Sequence, residues 1–126
     1  MTTPIVFISH STVNEGRLDA FREVGEQTFA LMEATKPGTV LHYGYLSQDQ
    51  SEVSFVHVFP DAAAMDAHFV GSDERVEAAS EYITVRRFEV YGSPSEEALA
   101  ALRGSGAELI VHPAGFGGYI RLVGDL

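Results

Sequence analysis

Five histidines, His10, His42, His57, His68 and His112, carry most of the chemistry open to this chain. An imidazole donates, accepts and transfers protons near neutral pH, so two or three on one surface bind a hydroxyl, relay a proton or ligate a metal. The chain has no cysteine, which removes disulfides, thiolate nucleophiles and thiolate metal ligands together. Two of the histidines are expected to meet. If Gln48-Asp49-Gln50-Ser51 turns a hairpin on Asp49 and Gln50, the register sets His42 opposite His57 and Gly44 opposite Phe55, all on one sheet face. His10 joins them if the first strand points it the same way. Tyr43, Tyr45 and Arg86 add phenols and a cation by residue type. The candidate ligand-binding set is therefore His10, His42, Tyr43, His57, His68 and Arg86, with no catalytic residue singled out. The structural alternative is that these imidazoles are hydrogen-bonded groups lining a dimer interface or a wet interior.

Other motifs carry less. The histidine spacings match neither HExxH nor a local two-His-one-carboxylate pattern, so a metal would have to be assembled across strands and no metal ligand is assigned. Ser9-His10-Ser11 places serine beside histidine, but neighbours on a strand point to opposite faces, so they are poorly placed as nucleophile and base and a serine hydrolase is not expected. The glycines of 104–106 and 115–118 lack the strand-turn-helix context of a dinucleotide loop and read as turns.

The elements that must hold these residues follow from periodicity. Ile5 to Thr12 reads as a strand with both faces at least partly buried. A long helix follows, with Asn14 as N-cap and Val13 and Leu18 as a hydrophobic staple; Thr12 with Glu15 is a rival capping box. Leu18, Phe21, Gly25, Thr28, Phe29 and Met32 form its apolar stripe, and Lys36-Pro37-Gly38 ends it. Thr39 to Ser47 and Val53 to Phe59 form an antiparallel hairpin. Asp61 caps a helix from Ala62 that carries Met65, His68 and Phe69, broken at Gly71-Ser72 before a further short helix. Ile83 to Tyr91 is the fourth strand. This βαββαβ order predicts a ferredoxin-like α+β unit, an antiparallel sheet in the order four, one, three, two with helices on one face. Apolar residues on both strand faces then call for a cover on the other side, most simply a second copy of the chain.

The segment Val53 to Glu74, VSFVHVFPDAAAMDAHFVGSDE, resembles the strand-to-helix signature of the antibiotic-biosynthesis-monooxygenase-like family of small dimeric α+β barrels, with Ala67-His68 in the matching context. The resemblance spans about residues 4–92. It implies a dimeric barrel and a cofactor-independent monooxygenase acting on a small aromatic or polyketide-like molecule, the substrate itself activating oxygen; a non-catalytic dimeric ligand-binding or interaction module is the alternative on the same fold. The haem-degrading relatives use an asparagine on the first strand, a tryptophan on the second helix and a histidine ligand beyond it. Here those places offer Ser9 or His10, His68, and Glu77-Ala78-Ala79-Ser80, and the chain has no tryptophan, so haem degradation is disfavoured.

The whole chain, 1–126, is expected to be one α+β barrel domain: the core at 4–92 plus a C-terminal extension at 93–126. In the extension, Ser93-Pro94-Ser95-Glu96 reads as a capping box, with Pro94 at the first helical position of a short helix whose apolar stripe is Ala98, Leu99 and Leu102 and which ends at Gly104. Glu108 to His112 and Tyr119 to Val123 then read as a β-hairpin. At 126 residues the chain is long enough to bury roughly two-thirds of its unfolded surface. Eight basic against eighteen acidic residues give a net charge of −10, which repels phosphate backbones and anionic membrane surfaces and leaves a small molecule and a second copy as the expected partners. The N-terminus shows no secretory pattern, so a cytoplasmic location is expected.

Overall fold

The computed structural model of the protein describes residues 3–121. Nine elements follow in order: β1 (Ile5–Val13), α1 (Leu18–Thr35), β2 (Leu41–Leu46), β3 (Glu52–Phe59), α2 (Ala62–Phe69), α3 (Ser72–Ala79), β4 (Ile83–Tyr91), α4 (Glu96–Arg103) and β5 (Glu108–His112). The strands form one sheet in the order β2-β3-β1-β4-β5, antiparallel throughout except for the parallel β4–β5 pair. The first four strands therefore take the expected order four, one, three, two. None of the helices described is long and apolar enough to cross a membrane.

Alternation along each strand divides the sheet into two faces. Ile5, Phe7, Phe59, Phe88 and Val90 point to the helices and pack with Met65 of α2 and Ala98 and Leu102 of α4. Phe59, Ile5, Met65 and Val90 are fully buried, each stabilising the fold by roughly 1.5–3 kcal/mol relative to an exposed side chain. α1 covers the β2–β3 end of the same face through Phe21 and Phe29, whose rings lie 6.0 Å from that of Phe55. Gly44 makes this approach possible, since a Cβ there would sit 3.2 Å from the Phe55 ring and 3.4 Å from that of Phe29.

The β2–β3 register is the expected one, His42 facing His57 and Gly44 facing Phe55. The connection is a four-residue loop rather than a two-residue one. The Gln50 amide donates to the Ser47 carbonyl and the Ser47 amide to Glu52, with Gln50 in the left-handed region at φ 63°. A loop longer by two residues about the same centre leaves every cross-strand pair unchanged.

Three local expectations are corrected. α1 begins at Leu18 with Arg17 at its N-cap and no side-chain cap. Asn14 instead donates to the carbonyls of Ser80 and Glu81 and accepts from the Thr84 hydroxyl, tying the end of β1 to the start of β4. In α4 the cap is Ser95, which accepts from the Ala98 amide and donates to Asp66 of α2 at 2.6 Å, so Pro94 precedes the cap rather than opening the helix. The C-terminal hairpin is replaced by a crossover. With α4 intervening, β5 returns alongside β4 in parallel, as a helix-spanned connection requires. Residues 113–121 form no strand, Pro113 and the glycines that follow it offering little to a ladder; the remainder of the expected second strand lies outside the described residues.

Candidate functional site

Where the β2–β3 hairpin passes under α2, three imidazoles converge. His42 and His57 stack across the strands with ring centroids 4.4 Å apart, and His68, in the last turn of α2, meets both edge-on at 5.1 Å. Asp61 positions the helix that delivers His68, its carboxylate accepting from the Ala64 amide at 2.8 Å. Phenyl rings wall the group: Phe29 lies 4.8 Å from His42, Phe7 4.8 Å from His57 and Phe59 5.2 Å from His68.

Hydrogen bonds set the rings' roles. His57 Nδ1–H donates to the Phe7 carbonyl at 3.0 Å, which leaves its Nε2 as an acceptor. His68 Nδ1 bonds the Thr39 hydroxyl at 2.7 Å. His42 Nδ1 is buried and has no hydrogen-bond partner among the described residues. Such an unpaired polar atom is costly unless something else meets it.

All three imidazoles are held neutral. Burial, then the nearby Arg75 guanidinium, lowers His42 from 6.5 to about 4. Burial also lowers His68 to about 3, helped by His42, Arg75 and Lys36. His57 is pushed well below its usual value by burial and its two imidazole neighbours, against a smaller opposing effect of its bond to the Phe7 carbonyl. The two cations stand there for a structural reason. Arg75 donates to the carbonyls of His68 and Val70, and Lys36 to those of Ala67 and Val70, so both close the C-terminal end of α2, where positive charge is favoured. Sequence reasoning missed Arg75, whose position in α3 carries no motif.

The trio's ring nitrogens lie within 4.8 Å of one another. Three neutral imidazoles are a donor set that zinc-like ions accept. Bonds of about 2.0–2.1 Å to one ion need the nitrogens considerably closer, and Arg75 and Lys36 oppose a cation.

The remaining candidates lie elsewhere. His10 is on the opposite face, bonded through Nδ1 to Ser54 Oγ at 2.9 Å and through Nε2 to Glu89. Arg86 lines a cavity of about 290 Å³ with His10, away from the trio. Tyr43, adjacent to His42, points away from it as alternation demands and is 60% exposed, its ring 5.2 Å from Tyr45. A second cavity of about 380 Å³ lies at the start of α1, and the trio lines neither of these two.

No family model and no curated protein matches the chain. Solved structures do. MupZ from Pseudomonas fluorescens superposes with a TM-score of 0.68 at 20% identity over 94% of this chain and 91% of its own, a coverage that takes in most of the C-terminal extension. SnoaB, a cofactor-independent oxygenase from Streptomyces nogalater, gives 0.60 at 21% identity over 73% and 94%. A protein of Bacteriodes thetaiotaomicron, proposed to be an antibiotic biosynthesis monooxygenase, gives 0.58 at 15% over 67% and 84%. At these identities the shared property is the fold. The chain has the ferredoxin-like α+β fold of the antibiotic-biosynthesis-monooxygenase-like proteins.

Proposed function

We propose that this chain is a cofactor-independent oxygenase acting on a small aromatic or polyketide-like molecule held against His42, His57 and His68. The observation that carries the reading is the buried, unpartnered Nδ1 of His42 beside the Phe29 ring. An aromatic substrate would stack on Phe29 and offer that nitrogen an acidic C–H or O–H, while Arg75 stabilises the anion formed. In the balanced reaction His42 takes one proton from a ring methylene and the carbanion reduces O₂ to a bound peroxide anion. Loss of the second proton with O–O cleavage then leaves a ring carbonyl, and the imidazolium returns its proton to hydroxide as water.

The homodimer belongs to the same proposal. The sheet face away from the helices carries Leu41 and Tyr43 at 37% and 60% exposure, with half-buried Val6, Ile8, Val56 and Val58 beside them. A second copy would cover these rows. Light scattering at micromolar concentration should give twice the mass of 13.7 kDa, and a monomer would overturn the pairing.

The test is oxygen uptake over a panel of quinols and flat polyphenols. We expect one O₂ consumed per carbonyl formed, and a fall of at least tenfold in His42→Ala. The second reading is a non-catalytic ligand-binding module, favoured by the burial of His57 and His68 at 6% and 4% exposure. A panel member that binds and shifts the histidine NMR signals without consuming oxygen would establish that reading instead.

A further inference from the structure

The opposite face of the sheet holds an independent constellation. His10 and Ser54 are direct cross-strand partners on β1 and β3, and Glu89 stands on β4, the strand on the other side of β1. His10 therefore lies between a hydroxyl, 2.9 Å from its Nδ1, and a carboxylate at its Nε2. Glu89 is held below its ordinary range by hydrogen bonds from Tyr91, at 2.5 Å, and from His10, so it is ionised and only accepts. His10 must then donate through Nε2. In its neutral form the ring has one acceptor left, Nδ1, and Ser54 Oγ–H is the group that donates to it.

A nucleophile needs access and a partner for the negative charge it creates. His10 and Glu89 have side chains 27% and 19% exposed, and His10 and Ser54 line the cavity of about 290 Å³ together with Arg86 and Arg87. Consecutive strand residues ordinarily point to opposite faces. Here the β1–β4 register shifts between His10 and Ser11, pairing them with Arg87 and Val85, and leaves Arg86 as the extra residue of a bulge. That irregularity brings both guanidinium groups to one cavity. Arg87 Nε is buried without a hydrogen-bond partner among the described residues, and its Nη2 lies 3.6 Å from Glu89. Of the two arginines Arg87 already meets Glu89, which leaves Arg86, with no ion pair among the described residues, to attract an anionic group.

We propose that Ser54, His10 and Glu89 form a serine-histidine-carboxylate site that hydrolyses a small ester bearing an anionic group, with Arg87 on the developing oxyanion and Arg86 on the substrate's charge. Ser54 Oγ attacks the carbonyl carbon as its proton passes to His10 Nδ1; the carbonyl reforms as the ester C–O bond breaks, and the leaving alkoxide takes that proton. Water, deprotonated by the same nitrogen, then cleaves the acyl-serine to the acid and restores the hydroxyl. Glu89 keeps the ring in the required tautomer and opposes the imidazolium charge, and Tyr91 holds Glu89. This site shares no residue with the trio. It occupies the polar row at one end of the face, by Tyr45, Ser54, His10 and Arg87, whereas a partner copy would seat on the apolar rows beyond.

The first experiment treats the intact protein with a fluorophosphonate and locates the adduct by peptide mass spectrometry. An adduct on Ser54 is expected; none there, or an equal one in His10→Gln, overturns the proposal. Turnover is read with the 4-nitrophenyl hemiester of succinic acid against 4-nitrophenyl acetate. We expect the charged ester to be preferred at least tenfold in kcat/KM. Ser54→Ala and His10→Gln should each lower its hydrolysis a hundredfold or more, while Arg86→Gln raises KM for the charged ester more than for the neutral one. Hydrolysis unchanged in Ser54→Ala, with melting temperature preserved, would show that these groups only tie the strands together.

Discussion

The two faces of the sheet use the same residue type in opposite ways. On the helix side, His42, His57 and His68 face one another and two cations, under phenyl rings, and all three are kept uncharged. On the open side, His10 is bonded to an ionised Glu89 and a hydroxyl, in partial contact with solvent. An imidazole without a counter-charge and out of water stays neutral, one nitrogen donating and the other accepting. One with a carboxylate behind it can carry a proton through a reaction. What each histidine does is therefore decided by the charged groups that the neighbouring elements bring.

The contrast is broken most directly by truncation. His57→Ala removes a ring buried against Phe7 and His42 and leaves the Phe7 carbonyl short of a donor, so it should cost about 2–4 kcal/mol in urea unfolding. His10→Ala, at a part-exposed position, should cost about 1 kcal/mol or less. Equal losses would mean the two sites are not energetically distinct.

Acid separates them further. The trio's folded values lie below the unfolded 6.5, so their contribution is complete above pH 6.5 and is lost as pH falls toward the folded values of about 4 and about 3. We expect about 2–3 kcal/mol for each of His42 and His68 to disappear between pH 7 and 4.5, well before Glu89, whose own lowered value brings loss only below its unfolded 4.5. Urea midpoints across that range check this, and a flat profile would refute the neutral trio.

Smaller changes sharpen the picture. Arg75→Gln should raise the values of His42, His57 and His68, because it removes a cation acting on all three. Histidine NMR titrations would read the direction. Gly44→Ala should cost about 1 kcal/mol by pressing a methyl against Phe55 and Phe29, a shift of a few degrees in the melting curve; no shift would mean that α1 can lift off the sheet freely.

Much of the helix-side site was legible. The meeting of His42 and His57 follows from alternation and a turn centred on polar residues, and it survives the longer loop because the centre is unchanged. Asp61 as cap and Gly71 as breaker come from local chemistry, which a few residues carry by themselves. Even the separation of Tyr43 from His42 was implicit in alternation, although residue type alone grouped them. The start of α1 was misread because Asn14 is claimed by partners 66 and more positions away.

The chain by itself determined the order of elements, the hairpin register and the burial of one strand face, since these depend on neighbours in sequence and on a period of two or 3.6 residues. Only the tertiary structure decided that His68 closes on the hairpin pair, that burial, helped by Arg75, keeps the trio neutral, and that Ser54 and Glu89 flank His10 from 44 and 79 positions away. The reason is physical: the roles depend on distance, burial and charge across strands and helices. A bulge of one residue at Arg86 is enough to turn two arginines toward one cavity.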